Sequence, residues 1–325
     1  GNNKHEFDYT RKLFLIEHCI YGLDIQQIAV QISKLRFFIS LMVDQHVDDS
    51  RPNRNVLSMP NLETKFVAAN SLIGLDQNVS GKKNKGSGFL RSLEVELLEI
   101  RLKELRKEIF YTRRYSDKKK LKNDEEELRA KLKDALVKSG MPEKSAKQMA
   151  NWNPFDPIHA ASFFHSETMF GFDNEFDIVI GNPPYYQIQK LDENQKKPLE
   201  DQQYETYTKS GDLYCLFYEK GVRVLSKNGV LCYITSNKWM RTDYGESVRT
   251  FLGTKTKTKI VVDFGMAQMF ESATTYTNIM ILSKASPADT INICRMDGDY
   301  TVEHPLVEYI TDKTVTVENP KSRTW

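Results

Sequence analysis

Hydrophobic and polar positions change period several times along the 325 residues. The short, mostly apolar run Cys19–Ile25 predicts a strand. A helix follows it through residues 25–45, with Ile28, Ile32, Leu35 and Ile39 at helical spacing. Residues 65–69 (KFVAA) and 176–180 (FDIVI) predict further strands, the second ended by the turn Asn182-Pro183-Pro184. A helix is predicted near 212–225, then strands at Val230–Thr235, Lys259–Asp263 and Asn278–Leu282. Strands alternating with helices predict an α/β fold whose mostly parallel sheet is covered on both faces.

Residues 90–138 depart from that alternation. Leu98, Leu102, Leu105 and Ile109 repeat at intervals of four, three and four, and Leu121, Leu128, Leu132 and Leu136 repeat similarly. Two helices joined near Tyr115-Ser116-Asp117 would form an antiparallel hairpin with one apolar seam. Residues 101–140 hold 14 Lys/Arg and 8 Asp/Glu. That excess reads either as a basic arm touching phosphates or as a solvated helical insertion. Punctuation at Gly81–Gly88 and Gly140–Pro142 brackets residues 75–149 as the insertion, leaving 1–74 and 150–285 as the main domain. Residues 286–325 lose the regular alternation and read as the start of a linker.

Composition narrows the function classes. Hydrophobic residues make up 40% and charged residues 28% of the chain, the balance of an ordinary globular protein. Apolar runs such as Ile178–Ile180 are far too short for a membrane span, and no signal-peptide pattern opens the chain. A net charge of +2 does not point to nucleic acid. Any such partner has to be argued from a site. Cys19, Cys215, Cys232 and Cys294 form no C-x-x-C pair, so free buried thiols of a reducing cytoplasm are expected, with no metal site.

The sharpest chemical signal is Asn182-Pro183-Pro184-Tyr185, directly after an apolar strand. Strand ends in open α/β sheets are where ligands bind. Two prolines stiffen the turn and remove two N–H donors. The Asn182 side chain and the Pro183 carbonyl are then available as fixed acceptors beside the flat face of Tyr185. That set suits an exocyclic amine on a base, whose lone pair is delocalised into the ring. Two acceptors on its two hydrogens favour a tetrahedral nitrogen with the lone pair free for an electrophile, while the aromatic ring holds the base.

The run Phe176–Tyr185 resembles the catalytic motif of amino-methyltransferases acting on DNA. Tyr21-Gly22-Leu23-Asp24-Ile25 is similar to the family's second cofactor motif, and Phe66-Val67-Ala68-Ala69-Asn70-Ser71-Leu72 to its third. Gly211-Asp212-Leu213-Tyr214 with Phe217 resembles the helix after the catalytic loop. Asn228-Gly229-Val230, Thr235-Ser236-Asn237 and the loop Met269–Thr275 continue the order. Over residues 15–285 the order resembles the type IIG restriction enzymes, which fuse nuclease and methyltransferase in one chain.

The resemblance implies a Rossmann-like S-adenosylmethionine-dependent methyltransferase sheet carrying a helical-hairpin insertion. It implies an N6-adenine DNA methyltransferase of a restriction–modification system, prokaryotic and cytoplasmic, acting on an adenine flipped out of duplex DNA. Asn182, Pro183, Pro184 and Tyr185 would be catalytic, and the base would lie between Tyr185 and Phe270. Asp24 would accept hydrogen bonds from the cofactor's ribose and Asn70 would contact its adenine, with Ile25, Ser71 and Asn182 also against the cofactor. The family's Gly-rich loop after a first strand finds no counterpart. Gly86-Ser87-Gly88 follows a polar stretch and reads as a hinge. A chain opening on Gly1 is therefore expected to be part of a longer protein, with its first strand, any nuclease and a target-recognition domain outside it. Methylation of RNA or of a protein glutamine remains open, as does a non-catalytic DNA-binding fragment retaining the fold.

Overall fold

Phe66 decides what can precede it in space. A Cβ at Gly22 would come within 2.4 Å of the Phe66 ring, so only glycine lets the two strands meet there. The computed structural model describes residues 2–45, 47–56, 60–75, 92–171, 175–265, 276–296, 300, 305–321 and 325. The chain divides into two compact units, residues 1–173 and 174–325.

In the first unit, helix α1 (Asn2–His18) leads to β1 (Gly22–Asp24), α2 (Gln27–Val43) and β2 (Phe66–Ala68). Among the described residues no strand precedes β1. β1 and β2 form a two-stranded parallel sheet with Gly22 opposite Phe66 and Asp24 opposite Ala68. Tyr9, Ile16, Val30, Leu41, Leu62, Phe66 and Phe110 form its core. The predicted helix is present, but its stripe is not the buried one. Ile28, Ile32, Leu35 and Ile39 are each more than half exposed, whereas Val30 and Leu41 are buried and the Phe37 ring lies 4.7 Å from that of Phe66. A helix apolar on most of its circumference offers two stripes, and Phe66 selects the one at Val30, Phe37 and Leu41.

The hairpin is α3 (Leu93–Tyr111) and α4 (Tyr115–Lys138), followed by α5 (Glu143–Asn151) and the short α6 (Ser166–Phe170). Ser92 Oγ caps α3 by accepting from Val95 N, and the Ser139 hydroxyl beyond α4 donates to it at 3.1 Å, so the two helices run antiparallel. Leu102, Leu105, Ile109, Leu132 and Leu136 are buried along them. The seam is not closed within the hairpin. Glu125, fully buried, accepts from Arg106 at 2.8 Å and from Arg129 at 2.8 Å. Arg129 also donates to the Trp152 carbonyl at 2.7 Å, and Arg106 to the Thr168 carbonyl. Phe110 enters the core around Phe66, and Asn61 bonds the carbonyl of Ile109. The hairpin is thus built into the first unit.

The second unit contains β3 (Phe176–Gly181), α7 (Glu193–Asp201), α8 (Leu213–Val224), β4 (Leu225–Ser236), α9 (Glu246–Lys255), β5 (Lys257–Asp263), β6 (Thr277–Ser283), β7 (Thr290–Arg295), α10 (Leu306–Lys313) and β8 (Val315–Glu318). Its six strands run in the order β3-β4-β6-β5-β7-β8. Pairs β3–β4 and β5–β7 are parallel, whereas β4–β6, β5–β6 and β7–β8 are antiparallel. The sheet is therefore mixed rather than mostly parallel, because β6 turns back between β4 and β5. β3 is an end strand, with Ile178 and Ile180 exposed.

Residues 286–325 also depart from the linker expectation. β7 and β8 extend the sheet, and Tyr309 of α10 packs with Val262, Phe264 and Cys294. The Trp325 ring lies 5.3 Å from that of Trp239. The main core joins Tyr214, Tyr218, Leu231, Tyr233, Trp239, Val248, Leu252 and Met280.

Candidate active site

β3 delivers its sequence motif to the carboxyl edge of the second sheet. Gly181 ends the strand opposite Tyr233 of β4, and a Cβ there would lie 2.9 Å from the Tyr233 ring. Asn182 is exposed, and among the described residues its side chain makes no hydrogen bond. Pro183 is buried and Pro184 exposed. Tyr185 is half-buried against the main core, edge-on to Tyr214 with ring centroids 6.0 Å apart. Burial raises the Tyr185 pKa.

The loop after Tyr185 is strapped to the start of α8. Leu213 N donates to the Tyr186 carbonyl and Ile188 N to the Gly211 carbonyl, each at 2.8 Å. The carboxylate of Asp212, nearly buried, accepts from the Tyr244 hydroxyl at 3.0 Å, and the Tyr214 hydroxyl lies 2.8 Å from that of Tyr244. Glu219, buried on α8, accepts from Thr206 N at 2.9 Å and from Arg223 at 2.5 Å, which fixes the segment before Gly211. Beneath Tyr185, Tyr218 bonds Thr235 at 2.7 Å, and Asn278 accepts from Thr235 and Trp239.

The same edge carries the ends of β4 and β5. Asn237 follows β4 and donates to Asp263, the last residue of β5, at 2.8 Å. Asp263 also accepts from Gly265 N at 3.0 Å. Gly265 has φ +55°, so this clip sets the direction in which the chain leaves β5. Phe270, expected as the second aromatic wall, lies outside the described residues.

The first unit presents the other sequence-predicted residues. Asp24 and Asn70 follow each other at the carboxyl ends of β1 and β2, where Ala69 N donates to the Asp24 carbonyl at 2.9 Å. Asp24 Oδ1 accepts from Gln26 N at 2.7 Å, and Asn70 Oδ1 from Leu72 N at 3.1 Å. Both side chains serve local turns, yet each retains acceptor capacity, since a carboxylate has a second oxygen and an amide oxygen a second lone pair. Ile25 is exposed and Ser71 partly so. Ala161 completes this edge, with its N–H on the Ala68 carbonyl and its carbonyl on Asn70 N.

Sequence reasoning missed Tyr244, Glu219 and the Asp263 clip. Only Glu219 carried a signal, as a lone acid within the apolar run Leu213–Tyr218 and Val222. The hairpin's basic residues divide into two groups. Arg106 and Arg129 are buried in ion pairs, while Arg113, Arg114, Lys119 and Lys120 are exposed around the bend. Cys215 and Cys294 are buried free thiols, but Cys19, expected buried, is exposed. Burial pushes the Cys215 thiol up to about 12. Among the described residues, no cluster of His, Cys, Asp or Glu could hold a metal, and no helix is long and apolar enough to cross a membrane.

The chain is similar to several restriction–modification proteins. The chain is 32% identical over 112 residues to the type II restriction enzyme and methyltransferase RM.Eco57I of Escherichia coli, covering 34% of this chain and 11% of that one. It is 23% identical over 334 residues to the putative type II restriction enzyme and methyltransferase RM.MjaORFECS2P of Methanocaldococcus jannaschii, covering 87% of this chain and 27% of that one. The chain thus spans well under a third of the length of either relative. The crystal structure of the type IIG restriction endonuclease BpuSI aligns with a TM-score of 0.40 at 12% identity, over 73% of this chain and 32% of that one. The family described as Eco57I restriction-modification methylase matches residues 18–270, more than three-quarters of the chain. The chain belongs to the Eco57I restriction-modification methylase family.

Proposed function

We propose that the chain is the methyl-transfer core of a site-specific DNA N6-adenine methyltransferase within a restriction–modification system, with S-adenosylmethionine as donor. The observation that carries this reading is the Asn182-Pro183-Pro184-Tyr185 turn at the carboxyl end of β3. Its asparagine is exposed and uncommitted, and its tyrosine is seated on the core. An uncommitted amide oxygen on a turn whose backbone is stiffened by two prolines is available as an acceptor. It would hold one hydrogen of the target amine and the Pro183 carbonyl the other. The nitrogen lone pair would then be free to take up the donor's methyl group, with one amine proton released to solvent. Tyr185 would hold the extruded base by stacking.

The residues of the first unit fit the cofactor. Asp24 keeps a carboxylate oxygen for two ribose hydroxyls, and Asn70 keeps a lone pair for an adenine amine. Ile25 offers exposed apolar surface beside them. When bound, S-adenosylmethionine supplies an electrophilic methyl group on a sulfonium. The partners implied are duplex DNA with one flipped adenine and, in the whole protein, fused nuclease and target-recognition domains, in a prokaryotic cytoplasm.

The test uses the full-length protein expressed in a host lacking its own adenine methylases. Nucleosides from the host DNA should contain N6-methyldeoxyadenosine by mass spectrometry. N4-methylcytosine in its place would overturn the assignment of the base, and unmodified DNA the assignment of the reaction.

A further inference from the structure

We infer that Tyr244 is a positioning residue that locks the ring of Tyr185 in its base-stacking orientation through Asp212 and Tyr214. The inference rests on Tyr185 being the residue on which the target base stacks. Two separate holds act on the catalytic loop. The first is backbone: Tyr186 and Ile188 are bonded to Leu213 and Gly211, the residues on either side of Asp212. The second is aromatic: the fully buried Tyr214 ring stands edge-on to Tyr185 at 86°.

Tyr244 ties the two holds together. Its hydroxyl lies within hydrogen-bond reach of both the Asp212 carboxylate, at 3.0 Å, and the Tyr214 hydroxyl, at 2.8 Å. Tyr244 donates to the Asp212 carboxylate, so its single proton is committed. The Tyr214 hydroxyl must therefore donate to Tyr244. The chain of donors runs one way, Tyr214 to Tyr244 to Asp212, and it fixes the Tyr214 hydroxyl and hence the direction of its ring. Tyr244 lies 32 residues from Asp212, in the segment leading into α9.

A satisfied buried network of this kind makes the segments it joins more rigid. Tyr244→Phe keeps the ring and deletes both hydrogen bonds, leaving the Tyr214 hydroxyl and the Asp212 carboxylate without that partner. The Tyr185 ring then has a wider range of tilts, and misplacement of a reacting group by about 1 Å costs up to about a hundredfold in rate.

The experiment compares the full-length protein with its Tyr244→Phe and Tyr185→Ala variants on duplex DNA carrying 2-aminopurine at the target adenine. Fluorescence lifetimes separate a base stacked on an aromatic ring, which decays quickly, from an extruded base that is not stacked. Tyr185→Ala should abolish the fast component. Tyr244→Phe should convert part of it to the slow one and lower kcat on the adenine substrate about tenfold or more, with KM for S-adenosylmethionine unchanged. A role confined to folding would lower the melting temperature and leave the lifetimes of the folded protein alone. Where Tyr244→Phe does not fold, Tyr214→Phe serves. It keeps the Tyr244–Asp212 bond and should shift the lifetimes in the same direction. Wild-type lifetimes in the folded tyrosine variants, with Tyr185→Ala altered, overturn the inference. Wild-type lifetimes in Tyr185→Ala as well overturn the stacking role on which it rests.

Discussion

The rings of Tyr185 and Tyr214 meet in a T-shaped contact, with 6.0 Å between centroids and 86° between planes. This edge-to-face arrangement is favourable for two quadrupolar rings. Among the described residues the Tyr185 hydroxyl is buried with no hydrogen-bond partner. Tyr185→Phe keeps the ring contact and removes an unsatisfied polar atom, so it should raise the unfolding free energy by about 1 kcal/mol. Tyr185→Ala loses the ring and should lower it by about 2 kcal/mol, less than for a fully buried aromatic. Denaturant titration measures both. A Tyr185→Phe protein less stable than wild type would mean that the hydroxyl is bonded.

Glu125 is the pivot of the hairpin. It is fully buried and balances two buried guanidiniums, so Glu125→Ala leaves Arg106 and Arg129 uncompensated. Removing one partner of such a network costs about 3–5 kcal/mol. For the same reason, excision of residues 82–138 should unfold the first unit rather than leave it intact, because Phe110 leaves the Phe66 core with it. Circular dichroism of both variants checks this, and a cooperative, wild-type melt of the excised protein would contradict it.

The elements legible in the sequence are those whose ends carry special residues. β1 stops at Asp24 and β3 at the Gly181-Asn182-Pro183 turn; β3 keeps its expected span, whereas only Gly22–Asp24 of the expected run Cys19–Ile25 is strand. The helix α2 is equally legible, but its buried face is not. Periodicity marks Ile28, Ile32, Leu35 and Ile39 and is silent on which apolar stripe meets Phe66. β7 is hidden because only Ile291 and Cys294 of its six residues are buried, too few to show alternation. Its place is set by pairing with β5, a contact distant in sequence. Asn182 and Tyr185 are readable because chemistry concentrates in four consecutive residues. Tyr244 is not, because its role comes from two partners 32 and 30 residues away.

Lys220 gives the stability of the second unit a pH dependence. Burial on α8, with Arg223 nearby, lowers its pKa to about 8 from 10.5. Between those values the unfolded chain binds more protons, so this residue's contribution to stability rises with pH from about 8 to 10.5. Below about 8 the lysine is charged in both states and its full desolvation cost opposes folding. Lys220→Met should therefore be more stable than wild type near neutral pH, with the difference shrinking as pH approaches 10. Melting temperatures of the two proteins across that range test it. A difference independent of pH would show that Lys220 is not desolvated.

On the proposed function, Asn182 acts on the target amine. The side chain is exposed and makes no hydrogen bond among the described residues, so its removal should cost the fold almost nothing. Losing one preorganised acceptor typically costs about 10²–10³ in rate. The direct measurement is the single-turnover rate of methyl transfer from labelled S-adenosylmethionine to duplex DNA by the full-length protein and its Asn182→Ala variant. The rate should fall at least about a hundredfold, with the melting temperature and DNA affinity unchanged. A variant that transfers the methyl group at the wild-type rate would contradict it.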